Sequence, residues 1–174
     1  MKHLFSIGII TSFLLMAFGC KTSEKTTTSS QEPAKEVQTE PQMLATINRT
    51  ACYGRCPMYQ AIFMDNGEVK YIGKRFVDNV GTYTTLLTEE EVREIENQIK
   101  TVNYYSFDSI YPTLITDFPS CITEVNLNGK YKRVLNRQNP PQALRTFEQF
   151  LDGLLENRDW KKLSDEAVYE QFNQ

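Results

Sequence analysis

Cys52 and Cys56 are separated by three residues, in a stretch that reads Arg49-Thr50-Ala51-Cys52-Tyr53-Gly54-Arg55-Cys56-Pro57-Met58-Tyr59. Two thiols at this spacing can do three things. They can join as a disulfide. They can exchange with other thiols, with Arg49 or Arg55 favouring the thiolate. As soft ligands they suit Cu(I), with Met58 or Cys121 as a third donor. A Cys52–Cys56 bridge closes a very small loop and contributes about 2 kcal/mol through loop entropy, whereas a bridge from either one to Cys121 would contribute about 4 kcal/mol. Proximity favours the short link. The expected arrangement is a Cys52–Cys56 bridge, with Cys121 free and buried. Tyr53, Gly54, Arg55, Pro57 and Tyr59 then form a candidate binding loop around the bridge, with Tyr53 and Arg55 at its tip.

A second set of chemically capable side chains is Asp108, Asp117 and Glu124. Paired carboxylates do acid–base work or bind calcium. Their spacing matches no calcium loop, and turn-capping or solvated acids are the plainer reading. No glycine-rich phosphate loop, serine nucleophile elbow or zinc ligand set is present. The one histidine is His3, which lies in the N-terminal segment described next. Beyond that segment the commonest general base and metal ligand is missing from every scheme. No catalytic residue, metal site or cofactor is assigned.

The chemistry has an address. Met1-Lys2-His3 is a short basic start, and Leu4 to Phe18 is mostly apolar. The run is too short to span a membrane and has the layout of a secretory signal over residues 1–19. It ends Ala17-Phe18-Gly19-Cys20, which resembles the lipobox of bacterial lipoproteins, although Ala17 stands where leucine is more usual. The resemblance implies cleavage before Cys20 and acylation of that cysteine, which gives stable anchoring. Residues 21–42 are almost all Thr, Ser, Glu, Lys, Gln and Pro. They cannot bury enough surface to offset ordering entropy. As a coil their reach is roughly 25 Å, so residues 20–42 read as a lipidated tether. The formal net charge is −3. With no basic stripe, that argues against nucleic acid as a partner.

The folded domain is expected over residues 43–160, with a polar C-terminal tail over 161–174. Leu44 to Asn48 reads as a first strand. Met58 to Met64 and Glu68 to Gly73 flank Asp65-Asn66-Gly67, a strong hairpin signal that fits a type I′ turn or a three-residue loop with a glycine bulge. Gly81 to Leu86 suits a short extra strand. Thr88, Glu91 and the Leu87–Val92 pair announce a capped helix, with Val92, Ile95, Ile99 and Val102 on one face. Ser120 to Leu127 and Lys130 to Arg137 form a second hairpin across Asn128-Gly129. Asn139-Pro140-Pro141 opens a last helix, with Leu144, Phe147, Leu151 and Leu154 as its buried stripe. The expected class is α+β: a small antiparallel sheet built from two hairpin–helix units, with both helices packed on one face.

Two family resemblances bear on the cysteine loop. Cys-x3-Cys-Pro resembles the copper-binding motif of the Sco-type chaperones. Those proteins use a distant histidine, and their motif precedes a helix, whereas this one feeds a strand. The pattern Ala51-Cys52-Tyr53-Gly54-Arg55-Cys56-Pro57-Met58-Tyr59, then Asp65-Asn66-Gly67-Glu68-Val69-x-Tyr71-x-Gly73, then Gly81, Leu87-Thr88 and Asp117-x-Pro119, covers more of the chain. It resembles an exported bacterial domain of unknown function, family 6438, over roughly residues 43–156. Members are typically lipoproteins or secreted proteins, which agrees with Cys20, and the family carries no activity to transfer. The leading expectation is a non-catalytic binding or envelope-associated module, held to a bacterial membrane, the outer one by preference. Its partners would be membrane lipid, through Cys20, and an unidentified envelope protein or ligand. The competing expectation is a periplasmic thiol-redox or copper protein.

Overall fold

Two turns set the registers of the sheet. In the computed structural model, which describes residues 40–171, strand β2 (Met58–Met64) meets β3 (Glu68–Arg75) through Asp65-Asn66-Gly67. Gly67 N donates to Met64 O at 3.1 Å and Gly67 has a φ of 87°, so the glycine bulge is the form adopted. A Cβ there would lie 2.9 Å from Leu87 O. The second turn joins β6 (Cys121–Leu127) to β7 (Lys130–Asn136). Asn128 and Gly129 both have positive φ, 55° and 73°, as a two-residue type I′ turn requires.

The sheet is larger than expected and is not two hairpin–helix units. It has eight strands in the order β5-β7-β6-β1-β2-β3-β4-β8. Strand β1 (Met43–Arg49) lies between the two hairpins and pairs antiparallel with both β2 and β6. Strand β4 (Gly81–Leu86) extends the first hairpin to a meander. The edges are β5 (Ile110–Tyr111), parallel to β7, and β8 (Lys161–Ser164), antiparallel to β4. Part of the expected C-terminal tail is therefore a strand. Its Lys-Lys-Leu-Ser sequence is exposed throughout and has no apolar alternation to announce it. Its place is prepared by Gly81 on β4, where a Cβ would come within 2.5 Å of Ser164 O.

Helix α1 (Glu89–Thr101) follows β4, and α2 (Gln142–Gly153) follows β7. Both contribute to one apolar cluster, in which Ile95, Ile99, Leu144, Phe147 and Leu151 meet Ile47, Ala61, Phe63, Val69, Val125 and Val134 of the sheet. Full burial of each of the larger side chains contributes about 1.5–3 kcal/mol. Tyr104 is also fully buried here, and its hydroxyl pairs with Thr123 Oγ1 at 2.6 Å. A second, smaller cluster of Met43, Ile62 and Ile72 packs with Ala167 and Tyr169. The C-terminal segment is tied down beside it. Gln60 and the backbone of Glu170 exchange two hydrogen bonds of 2.8 Å, and Lys70 pairs with the Glu170 carboxylate.

The chain enters β1 next to the first turn. Asp65 N donates to Gln42 O, and Gln42 N to Asp65 Oδ1, each at 2.9 Å. Strand β1 then runs away from that turn and ends at Arg49, where the cysteine loop begins. Among the described residues no helix is long and apolar enough to cross a membrane. Cys20, the signal segment and most of the tether lie outside the described residues.

Candidate functional site

Four strands end their helix-facing sides in one polar row. Arg49 of β1 is in register with Tyr59 of β2 and with Cys121 of β6, and Cys121 is in register with Asn136 of β7. Further along the same strands, the helix-facing positions include the apolar Ile47, Ala61, Val125 and Val134, with Thr123 taken up by the Tyr104 hydroxyl. The change comes where β1 runs out into the cysteine loop.

Helix α2 meets this row with two carboxylates one turn apart, Glu148 and Asp152. That spacing places them on the same face, beside Phe147 and Leu151. Arg49 Nη2 donates to Asp152 Oδ2 at 2.5 Å, and Tyr59 OH donates to Asp152 Oδ1. Asn136 Nδ2 donates to both oxygens of Glu148, at 2.8 and 3.0 Å. Arg49 Nη1 lies 3.9 Å from Glu148 Oε2. Cys121 is in register with Asn136, the residue that holds Glu148. Arg49, Tyr59 and Asn136 of the row are thus all held by two acids from one helix.

The protonation states follow from burial and pairing. Burial pushes the Glu148 carboxyl above its usual range, although Asn136 and Arg49 pull the other way. Burial also pushes the Cys121 thiol well up, against the pull of Arg49. Tyr59 is raised by burial and by Asp152. Burial works against the charge on Arg49, but Cys121 and Asp152 more than offset it. At neutral pH the row holds one firm cation, one thiol and one phenol.

A cleft of about 430 Å³ opens onto the row. Its floor is Arg49, Tyr59, Cys121, Asn136 and Asp152, and its walls are Cys56, Pro57, Phe118, Pro119, Ser120 and Arg137. A neighbouring hollow of about 370 Å³ shares Arg49, Phe118, Asn136 and Arg137 and reaches Arg145 of α2. Arg137 holds one wall in place, since its Nη2 donates to the carbonyls of Ile115, Thr116 and Phe118 at 3.0–3.4 Å. Its Nε is buried and has no partner among the described residues.

The cysteine loop divides between two environments. Cys52 and Cys56 are joined, with Cα atoms 5.7 Å apart, and Cys121 is free and buried. Tyr53 is 92% exposed. The guanidinium of Arg55 sits 5.5 Å over the ring of Phe76, which Arg75 covers at 4.7 Å. Gly54 N donates to Cys52 Sγ at 3.2 Å. Pro57, by contrast, lines the cleft, and Tyr59 is buried in its floor rather than displayed on the loop. Tyr59 occupies the second position of β2, and strand alternation turns it under the sheet toward α2.

The three acids singled out from the sequence do not gather. Asp108 and Asp117 are exposed. Glu124 lies one residue from the helix-facing Thr123 and Val125, so it points to the other face, where Arg133 pairs with it at 3.4 Å. Among the described residues no group of three His, Cys, Asp or Glu side chains could hold a metal ion. The functional residues that sequence reasoning missed are Asn136, Arg137, Glu148 and Asp152. Only Glu148 left a signal: an acid four residues after Leu144, inside the buried stripe of α2.

With this geometry the comparison with known families is direct. The family described as Domain of unknown function (DUF6438) matches residues 44–155, from β1 to just past α2. The chain belongs to this family. The match encloses the whole polar row, the disulfide loop and both carboxylates of α2. The edge strand β8 and the segment packed beneath the sheet lie beyond it. No curated protein matches the chain.

Proposed function

We propose that this protein is a binding module of the bacterial envelope, anchored through an acylated Cys20, and that the cleft over the polar row seats its ligand. The observation that carries the reading is the composition of the cleft. Its walls are largely apolar, and a few polar groups converge on its floor, which is the usual make-up of a small-ligand site. The charges further narrow the ligand. Arg49 is already neutralised by Asp152 and Glu148. Arg137 has no carboxylate partner among the described residues, and its buried Nε has no partner there at all. Arg145, in the adjoining hollow, donates among the described residues to Gln142 alone. The ligand that fits has an apolar body and an acceptor-bearing, preferably acidic, end that reaches Arg137.

The test is a titration of the isotopically labelled protein with a short apolar peptide carrying a free C-terminal carboxylate, and with the same peptide amidated. The reading requires chemical-shift changes centred on Phe118, Ser120, Cys121 and the Arg137 Nε–H, stronger for the carboxylate and lost in Arg137→Gln. Equal responses to both peptides, or changes elsewhere on the domain, would sink it. The disulfide loop frames one wall of this cleft, so Tyr53→Ala, on the outer side of the loop, should leave the titration unchanged.

A further inference from the structure

Beyond ligand binding, the cleft brings together every cysteine of the folded domain. Cys56 and Cys121 both line it, and Cys52 is bonded to Cys56. Of the bridged pair, Cys56 lines the cleft together with Cys121, whereas Cys52 is not among the lining residues. Each participant in a thiol–disulfide exchange has the neighbour it needs. The buried Cys121 shares the helix-facing row with Asn136, which holds the Glu148 carboxylate through two hydrogen bonds. Arg49, in register beside Cys121, favours the thiolate even while paired with Asp152, although burial of Cys121 works against it. On the other side, the Gly54 amide already donates to Cys52 Sγ, the atom that must leave with negative charge. Residues 50–57 have no helix or strand structure. The loop is tied to the 117–120 segment by only a few links, among them Thr50 N to Ser120 O at 3.0 Å and Ser120 N to Thr50 Oγ1 at 2.8 Å.

We propose that Cys121 is the internal nucleophile of a disulfide relay that moves the bridge from Cys52–Cys56 to Cys56–Cys121 and exposes Cys52. The Cys121 proton passes to Glu148. The thiolate attacks Cys56 Sγ, the Cys52–Cys56 bond breaks, and Cys52 departs as a thiolate beside the Gly54 amide. One S–S bond forms as one breaks, so no external oxidant or reductant enters. Attack at this sulfur is favoured because the leaving sulfur is the one that already has a hydrogen-bond donor, the Gly54 amide. Burial of Cys121 keeps the resting form bridged at Cys52–Cys56 and makes the relay quicken as pH rises.

The relay is read by mapping cysteine linkages. The full chain, purified without reductant, is held at pH 8 under native conditions with iodoacetamide, then digested and mapped without reduction. The expected result is alkylated Cys52 together with a Cys56–Cys121 linked peptide, accumulating at a rate independent of protein concentration. Both products are lost in Cys121→Ser, and both form more slowly in Glu148→Gln. Alkylation of Cys121 with Cys52–Cys56 intact would overturn the relay, as would a native protein that resists alkylation while its denatured form is labelled at Cys121. A rate that rises with protein concentration would also overturn it, since exchange would then be between molecules. None of these outcomes touches the peptide titration, which is made with the disulfide unchanged.

Discussion

The two helices are nearly matched in length and lie over the same apolar cluster, yet they are built for different work. Helix α1 has a complete capping box, in which Glu91 N donates to Thr88 Oγ1 at 3.2 Å and Thr88 N donates back to Glu91 at 2.8 Å. Three acids occupy its first turn, where the helix dipole favours them. Its ion pairs are Glu89–Arg93 and Glu96–Lys100 along the outer face, and Glu91–Arg158 at its start. Helix α2 begins at Pro141 with no side-chain cap and no acid in its first turn. Its two inward carboxylates lie instead beside the sheet. One helix satisfies itself and steadies the fold. The other carries local costs that make sense only through what Glu148 and Asp152 hold in place.

That contrast can be broken or sharpened by mutation, beginning with the largest effect. Phe147→Ala empties the centre of the shared cluster and should cost about 3–5 kcal/mol in chemical denaturation. A loss of under about 1 kcal/mol would mean that α2 is not anchored through the core at all. Next come the two arginines that serve the helices. Arg49→Met strands Asp152 and Glu148 against the sheet and should cost about 2–4 kcal/mol, somewhat below the range for a fully buried pair because Arg49 keeps some solvent contact. Arg158→Met leaves Glu91 near the surface and should cost about 1 kcal/mol or less. Equal losses would erase the distinction between the helices. Thr88→Ala should cost about 1 kcal/mol, whereas Pro141→Ala, which removes no side-chain cap, should be nearly silent.

The smallest effect is a difference of sign with pH. Arg158 and the Thr88 backbone hold Glu91 down, from the ordinary 4.5 to about 2. Its contribution is fully present above pH 4.5 and is lost as pH falls toward 2. Glu148 is shifted upward by burial. It binds its proton more tightly folded than unfolded, so stability from this group is present below its unfolded value and lost as pH rises through its folded one. Glu91→Gln should therefore lower stability at neutral pH and flatten the acid limb of the stability curve. Glu148→Gln should leave neutral stability unchanged or raise it. Thermal unfolding followed from pH 2 to 7 separates them, and slopes of the same sign would contradict the assignment.

Most of the scaffold can be read from local chemistry. Asn128-Gly129 fixes a two-residue turn because both positions need positive φ, and Thr88 with Glu91 fixes a helix start to the residue. The strand from Met58 to Met64 is announced by its own side chains. The edges were not legible. Ile110-Tyr111 is too short to show a pattern, and Lys161–Ser164 presents no apolar face, so its pairing is decided by the space over Gly81. The cleft was half legible. The cysteines, Arg49, Pro57 and Tyr59 drew notice by type and spacing. Asn136 and Arg137 looked like the end of an ordinary strand. Asp152 follows the apolar stripe of α2 and looks like a solvated acid, until the register of four strands places Arg49 and Tyr59 opposite it. That register joins residues roughly a hundred positions apart, and no local window contains it.

The direction of β1 separates the entry of the described chain from the cleft. The backbone is pinned at Gln42 beside the first turn, and the cleft lies past Arg49, about 20 Å further on at ~3.3 Å per residue. The described chain therefore enters the domain at the end of the central strand remote from the cleft. A label or fusion placed before Gln42 stands a full strand length away from Arg49 and the disulfide loop, and its bulk is kept clear of the polar row.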